Sequence, residues 1–281
     1  LFHEQLQHGQ HVVRPDGMDD QSFERKLYQA RRMAEKANAA DAGFYLPTLN
    51  PHVISYKGLV TPENLPVFYP DLSDSRFESS LAVYHQRFST NTFPDWLLAH
   101  PFRMIAHNGE INTLKGNLNW LKSHEIRMAS SAFGDMAEDI KPIVPGGSSD
   151  SAALDAVFEV LVRSGRSAPM TKTMLVPEAW SKATTDMPKA WADMYAYCNA
   201  VMEPWDGPAA LLFSDGRYAG GMLDRNGLRP ARYLVTDDDL VVMSSESGVL
   251  PIPAEKIVKK WRLQPGKMFL IDLDQGRIID D

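Results

Sequence analysis

An arginine, an aspartate and an asparagine–glycine pair, far apart in the sequence, have the chemistry to bind a small amino acid. Arg87 follows a predicted strand and is itself followed by the hydroxyl groups of Ser89 and Thr90. A guanidinium presents parallel N–H groups that match the two oxygens of a carboxylate. Asp150 supplies a separate carboxylate, which suits an ammonium group. Arg87 and Asp150 therefore predict recognition of a zwitterion.

The Asn108–Gly109 pair lies at the end of a predicted strand, in the stretch MIAHNGEIN. Such a pair most often forms a tight turn, and that interpretation stays open here. The second interpretation is chemical. The side-chain amide of Asn108 and the backbone N–H of Gly109 can aim at one point and form an oxyanion hole, which stabilises the charge that develops during attack on an acyl group. A glycine also lets a substrate approach the backbone closely.

Asp150 stands at the start of a predicted helix, in GGSSDSAALDAVFEVL. Either Ser149 or Asp150 could cap this helix, because both residue types are favoured there. Alternatively, Asp150 faces a cleft as a fixed carboxylate, and its two oxygens allow it to do both. Combined with Arg87 and the Asn108–Gly109 pair, it predicts a site for an α-amino acid whose side chain carries a carbonyl, such as glutamine.

The elements around these residues predict an α+β domain with antiparallel sheets, because strands, a helical block and further strands follow one another. Apolar residues at helical spacing predict helices at 19–40, 113–130, 151–163 and 189–202, the first capped by Ser22. Strand patterns occur at 44–51, 52–60, 80–85 and 103–106. After Gly207 they recur in AALLFSD, RYAGGMLD, RYLVTD, LVVMSSE and KMFLIDLDQGRII.

The composition excludes several classes of protein. The 281 residues are 44% hydrophobic and 23% charged, as expected for a globular protein with a sizeable core. The net charge is −7, with acidic and basic residues interspersed, so we predict no nucleic-acid partner. No apolar run approaches the roughly 18 residues that span a bilayer, so we also predict no membrane partner.

Cofactor-binding patterns are not found in the sequence. Cys198 is the sole cysteine, and there is no glycine fingerprint for a dinucleotide. His85, His100 and His107 lack the spacing of a compact metal site. We therefore predict neither a cofactor nor a metal in this segment, although a metal-dependent hydrolase that uses these histidines stays open as an alternative.

Several motifs in the same order resemble the glutamine amidotransferase domain of glutamate synthases. They are YHQRFSTNTFPDWLLAHPFRMIAHNGEINTLKGNLNWL, SSDSAALD, GGMLDRNGLRPARY and PGKMFLIDLDQGRIIDD. The resemblance extends over essentially the whole chain. It implies a class II, N-terminal nucleophile amidotransferase, with two antiparallel sheets between helical layers (α/β/β/α). Residues 1–281 would then form one glutaminase domain, with its N-terminal strands missing from this segment.

The resemblance also implies roles for individual residues. Arg87 would hold the α-carboxylate of glutamine and Asp150 its α-amino group. Asn108 and Gly109 would form the oxyanion hole. The residues after the arginine would line the same pocket, with Thr90 as the expected substrate contact; they are Phe88, Ser89 and Thr90.

The nucleophile of this family is an N-terminal cysteine whose own α-amino group acts as base. Its thiolate attacks the side-chain amide, ammonia leaves, and water releases glutamate from the thioester. This sequence starts at Leu1, and Cys198 lies within a predicted helix, where a buried apolar role is favoured. We therefore expect a fragment that is inactive by itself. The alternative is a nucleophile-less homologue that binds glutamine or serves regulation.

The resemblance finally implies a larger parent enzyme. Ammonia made here would pass to a synthase domain containing flavin mononucleotide and an iron–sulfur cluster, and would aminate 2-oxoglutarate. The electron donor would be NADPH, through a small NADPH-oxidising subunit, or ferredoxin. The implied location is the bacterial cytoplasm or the plastid stroma.

Overall fold

The computed structural model describes residues 13–41, 44–86, 94–128, 131–180 and 187–281. The helices are α1 (Asp20–Ala37), α2 (Leu65–Phe68), α3 (Leu114–Ile126), α4 (Asp150–Arg163), α5 (Ala168–Leu175) and α6 (Lys189–Val201). Short 3₁₀ turns lie between several of them. The helices predicted at 151–163 and 189–202 are confirmed, and the one predicted at 113–130 ends earlier, at Ile126.

The strands form two antiparallel sheets, which confirms the predicted α+β class. They are β1 (Ile105–Gly109), β2 (Ala209–Ser214), β3 (Tyr218–Leu223), β4 (Arg232–Thr236), β5 (Val241–Ser244), β6 (Ile257–Arg262), β7 (Met268–Asp272) and β8 (Arg277–Ile279). The first sheet has the order β1-β2-β3-β7-β8, and the second has the order β5-β4-β6. Among the described residues, β1 is therefore an edge strand of the first sheet.

Helices cover one face of the first sheet, and the second sheet covers the other. Phe158 of α4 packs on Phe213 of β2, with ring centroids 5.6 Å apart. On the opposite face, Phe269 of β7 meets Tyr233 of β4 at 4.3 Å. Successive side chains of a strand point to opposite faces of a sheet, so the sheet can pack on both sides. Along β2, buried and partly buried side chains accordingly alternate.

Gly221 of β3 shows how closely the two sheets approach. A Cβ at this position would overlap the sulfur of Met243, which belongs to β5 of the second sheet. The absence of a side chain therefore allows the close contact between the sheets.

Buried ion pairs join α1, α4 and the segment that enters β1. Arg31 of α1 contacts Glu159 of α4 at 2.5 Å and Glu35 of its own helix at 2.8 Å. The same Glu35 receives Arg103, just before β1, at 2.7 Å. Buried charges need such partners, and breaking one pair leaves the other charge uncompensated. The network therefore fixes the start of β1 against the helices.

Some predictions of the elements were wrong. The stretches 44–51, 52–60 and 80–85 contain no strand, because their residues have no ladder partner among the described residues. The N-cap of α1 is Asp19, whose carboxylate accepts the N–H of Ser22 at 2.9 Å, so Ser22 is not the cap. α5 and β6 were not predicted at all.

Candidate active site

The predicted catalytic pair lies on the edge strand β1, where Asn108 is opposite Ala210 of β2. Two hydrogen bonds to the β2 side flank it: Ser214 N–H to the carbonyl of Met104, and Glu110 N–H to the carbonyl of Pro208, both 2.9 Å. Backbone groups alternate in direction along an antiparallel strand. The groups of Ile105, His107 and Gly109 therefore face the outer edge of the sheet.

Side chains occupy most of the N–H groups on this outer edge. Asp155 accepts the N–H of Ile105 at 3.0 Å. The Nδ1 of His100 accepts that of His107 at 3.4 Å. Beyond the strand, Asp150 accepts the N–H of Ile111 at 2.7 Å.

The N–H of Gly109 turns to the same edge as these occupied groups, and within the described ranges it is bonded to no acceptor. It is therefore placed to serve an incoming oxygen atom.

Gly109 must be a glycine for packing reasons. A Cβ here would overlap the carbonyl oxygen of Pro208. The residue lies in the strand itself, so the interpretation of Asn108–Gly109 as a tight turn is wrong. The side chain of Asn108 is exposed beside it. Of the two predicted donors, Asn108 is thus exposed and Gly109 is half-buried.

Asp150 is the first residue of α4, and the structure decides which residue caps the helix. The hydroxyl of Ser149 accepts the N–H of Ala152 at 3.2 Å, so Ser149 is the N-cap. The carboxylate of Asp150 instead reaches Ile111, two residues beyond Gly109, and its other oxygen accepts the N–H of Ser151 at 2.7 Å. A carboxylate is favoured at this end of a helix. Three of the predicted site residues thus come together: Asn108, Gly109 and Asp150.

Asp155, one turn further along α4, anchors the start of β1. It is almost fully buried and accepts the N–H groups of Met104 at 2.9 Å, Ile105 at 3.0 Å and Arg103 at 3.2 Å. Burial raises the pKa of this carboxyl, with a further contribution from Glu159. α4 therefore holds β1 at both ends, with Asp155 at the start and Asp150 beyond Gly109. This role of Asp155 was not predicted from the sequence.

The rings of the three histidines lie close together, with His85 and His100 stacked and His100 and His107 tilted by 51°. The rings of His85 and His100 lie 4.8 Å apart, and those of His100 and His107 lie 6.5 Å apart. Burial lowers the pKa of His100 to about 3 and that of His107 to about 4, so both rings are neutral at pH 7. No cluster of three or more His, Cys, Asp or Glu suited to a metal occurs in the described part of the chain.

Four of the predicted binding residues lie outside the described residues. They are Arg87, Phe88, Ser89 and Thr90. Their roles stay predictions. Cys198, by contrast, is seen: it is buried in α6, and burial raises the pKa of its thiol. A nucleophilic cysteine needs access and thiolate character, so Cys198 does not supply one.

A hollow of about 760 Å³ lies on the outer face of the second sheet, away from the predicted site. Its walls include Trp261, which is 58% exposed, and residues 246–250. None of the predicted site residues lines it, and its polar groups lie at the surface. The edge of β1, where donors and a fixed carboxylate converge, has more of the features of a reaction site.

Residues 3–281 match the family model described as glutamine amidotransferases class-II. The chain belongs to this family. It is 54% identical over 269 residues to "Glutamate synthase [NADPH] large chain" of Azospirillum brasilense, covering 94% of this chain and 18% of that protein. It is 46% identical over 276 residues to "Ferredoxin-dependent glutamate synthase 2, chloroplastic" of Arabidopsis thaliana, covering 96% and 17%.

The chain therefore spans less than a fifth of the length of these relatives. A solved glutamine phosphoribosylpyrophosphate amidotransferase from B. subtilis is similar at 18% identity and a TM-score of 0.31, covering 63% of this chain and 28% of that one. The α+β assignment rests on the two antiparallel sheets themselves.

Lys57 is a second group that the sequence analysis missed. It is 3% exposed, and its Nζ donates to the carbonyl of Ala99 at 2.8 Å and to the hydroxyl of Tyr45 at 2.9 Å. Burial, assisted by the positive charge of Arg103, lowers the pKa of Lys57 from 10.5 to about 7. It ties the segment that leads into β1 to the body of the domain.

The stability of the chain is expected to rise with pH between about 7 and 10.5 through Lys57. Its folded pKa is below the unfolded value. The unfolded chain therefore binds more protons in this window. The contribution of Lys57 to the free energy of unfolding is complete above the unfolded pKa and is lost as the pH falls to about 7.

Urea denaturation of wild type and Lys57→Met at pH 7, 8.5 and 10 measures this contribution. The free energy of unfolding of Lys57→Met should rise less. Lys115→Met, at an exposed position, serves as control. Parallel pH curves for wild type and Lys57→Met would contradict the prediction.

Proposed function

We propose that this chain is the glutaminase part of a glutamate synthase, which hydrolyses L-glutamine to glutamate and ammonia. One observation carries the proposal: the outward N–H of Gly109, the accessible amide of Asn108 and the carboxylate of Asp150 meet at one edge of β1. This combination suits an amino acid whose side-chain carbonyl is attacked. The family match over residues 3–281 supports treating the segment as one amidotransferase domain.

In the proposed mechanism, the Asn108 amide and the Gly109 N–H donate to the oxygen of the glutamine side chain as it becomes negative. Asp150 binds the α-ammonium group and Arg87 the α-carboxylate. Phe88, Ser89 and Thr90 complete the pocket. The attacking thiolate would belong to an N-terminal cysteine of the natural protein, because Cys198 is buried. We propose that residues 1–281 alone bind glutamine without turning it over.

The parent protein would deliver the ammonia to 2-oxoglutarate. One of the relatives is an NADPH-dependent glutamate synthase, and another is a ferredoxin-dependent one. We therefore propose that the electron donor is either NADPH, acting through a small subunit, or ferredoxin. We propose that flavin mononucleotide and the iron–sulfur cluster bind to the synthase domain of the parent protein. The single cysteine of this chain is too few to hold such a cluster, which usually takes four cysteine ligands.

The proposed location is the bacterial cytoplasm or the plastid stroma. No helix in the described ranges has both the length and the apolar composition needed to cross a bilayer. The sequence gives no reason to add a nucleic-acid or membrane partner.

The proposal is tested by assaying the full natural protein and residues 1–281 in parallel for glutamate and ammonia formed from glutamine, together with calorimetric binding of glutamine. Hydrolysis by the full protein, with binding alone by the segment, supports it. Binding without hydrolysis in both would favour the alternative, a nucleophile-less module that senses or holds glutamine. An absence of both binding and hydrolysis would overturn the proposal.

Arg87→Lys in the full protein is expected to raise the KM for glutamine about tenfold or more with a smaller effect on kcat. Lysine keeps the charge but loses the paired N–H groups that match a carboxylate. Steady-state kinetics measure this, with Arg225→Lys as a control at an exposed arginine that pairs with Asp206. An unchanged KM would exclude Arg87 from carboxylate binding.

A further inference from the structure

Two buried side chains form a hydrogen-bonded row that ends on Asp150. The Nδ1 of His107, in β1, lies 2.6 Å from the Oγ of Ser151, in α4. The same Oγ lies 3.3 Å from Oδ1 of Asp150. His107 is 2% exposed and Ser151 is 5% exposed. The row therefore runs from the interior of the domain to the carboxylate at the proposed site.

The chemistry of the three groups fixes the direction of the protons. An ionised carboxylate only accepts, so the hydroxyl of Ser151 must donate to Asp150. A hydroxyl has one proton, so the contact between His107 and Ser151 requires His107 to donate from Nδ1. The pKa of His107, lowered by burial to about 4, keeps the ring neutral, and a neutral ring has one N–H to give. The order is Nδ1–H of His107 to Oγ, then O–H of Ser151 to Oδ1.

A count of the acceptor positions on Asp150 shows what remains for a ligand. A carboxylate has about four lone-pair directions. Oδ1 accepts the N–H and the O–H of Ser151. Oδ2 accepts the N–H of Ile111 at 2.7 Å. Among the described residues this leaves one direction open, on Oδ2, the oxygen that accepts the N–H of Ile111, two residues beyond Gly109.

We propose that Ser151 and His107 are positioning residues that hold Asp150 with this last acceptor direction aimed at the α-ammonium group of the substrate. The inference rests on the proposed function, since it takes glutamine as the ligand. It assigns to Ser151 and His107 a role in recognising one group of that ligand. Neither residue is assigned a contact with the reacting carbonyl.

If Ser151 positions Asp150, its loss should weaken only the binding of the substrate's α-amino group. Ser151→Ala removes the donor to Oδ1, so the carboxylate is held by fewer bonds and its orientation spreads. The KM for glutamine in the full protein is expected to rise about three- to tenfold, with kcat within about twofold. With 4-carbamoylbutanoate, which is glutamine without its α-amino group, the same variant should behave like wild type. Ser148→Ala is the matched control, because within the described ranges the Ser148 hydroxyl donates to the carbonyl of Pro145, at 2.7 Å, and not to Asp150.

A second pair of variants tests the histidine and separates positioning from folding. His107→Asn places an amide N–H where Nδ1–H was, whereas His107→Leu has no donor. The asparagine variant is expected to keep a KM near that of wild type, and the leucine variant to raise it as Ser151→Ala does. Thermal unfolding of all variants shows whether the fold is retained. Ser151→Thr, which keeps the hydroxyl, replaces Ser151→Ala if the alanine variant does not fold, and should then keep the wild-type KM.

The outcomes separate the two proposals. If the wild-type protein neither binds nor hydrolyses glutamine, the proposed function fails. If wild type is active and Ser151→Ala leaves the KM for glutamine unchanged, the positioning role fails while the function stands. The role also fails if Ser151→Ala weakens glutamine and 4-carbamoylbutanoate equally, or if His107→Asn and His107→Leu have the same KM.

Discussion

Asn108→Ala is expected to lower kcat for glutamine hydrolysis by about a hundred- to a thousandfold in the full natural protein. The side-chain amide is one of two proposed donors to the developing oxyanion, and losing one such donor costs about this much in other acyl-transfer sites. The second donor, the N–H of Gly109, belongs to the backbone and remains. Because the interaction strengthens only in the transition state, KM should change little. Release of ammonia and glutamate under saturating glutamine measures the effect.

A nearby asparagine supplies the control for this prediction. Asn112 is exposed like Asn108, and its backbone N–H bonds to the carbonyl of Asp206 at 2.8 Å. Asn112→Ala keeps that bond and should retain kcat. Both side chains are exposed, so neither variant should lower the melting temperature. A kcat for Asn108→Ala close to that of wild type would remove Asn108 from the oxyanion hole.

The proximity of the candidate site residues could be predicted from residue types, whereas their backbone geometry could not. The pairing of Asn108 and Gly109 with Asp150 follows from which groups a zwitterionic amide requires. Whether Asn108–Gly109 forms a turn or a strand depends on β2, which lies about a hundred residues later in the sequence. Local propensity favours the turn, and tertiary pairing overrides it. The open N–H of Gly109 is visible only once that pairing is known.

The local sequences of the two elements that were not predicted, β6 and α5, do not have the patterns typical of a strand and a helix. β6 reads IVKKWR, with lysines where alternation would place apolar residues, because it is an edge strand whose residues are largely exposed. Charged side chains are common on such edges. α5 contains Pro169, which suggests a break. In the structure Ser167 caps that helix and the proline falls in its first turn, where a missing N–H costs nothing.

Asp155 also had a signal in the sequence. It stands in SAALDAVFEVL, an acidic residue surrounded by apolar ones on a helix that is buried over much of its surface. A carboxylate in such a place needs donors, because burying it without them is costly. The sequence does not say which donors. In the structure, the backbone N–H groups of Arg103, Met104 and Ile105 at the start of β1 meet this need.

Asp155→Asn is expected to lower the free energy of unfolding of the chain by about 1–3 kcal/mol. The amide keeps one oxygen, which can still accept the N–H groups of Met104 and Ile105. Its NH₂ group, however, would face the N–H of Arg103, so one acceptor is replaced by a donor. Relief from burying a charge offsets part of the loss, which is why the range stays moderate.

Amide hydrogen exchange locates this effect in the edge strand. In Asp155→Asn the N–H groups of Arg103, Met104 and Ile105 should exchange faster, because their common acceptor is weakened, while amides within β3 keep their protection. Asp193→Asn, at an exposed aspartate of α6, is the control and should change neither stability nor exchange. If Asp155→Asn left both the free energy of unfolding and the exchange at 103–105 as in wild type, α4 would not be what holds β1, and the placement of Asn108 and Gly109 would need another cause.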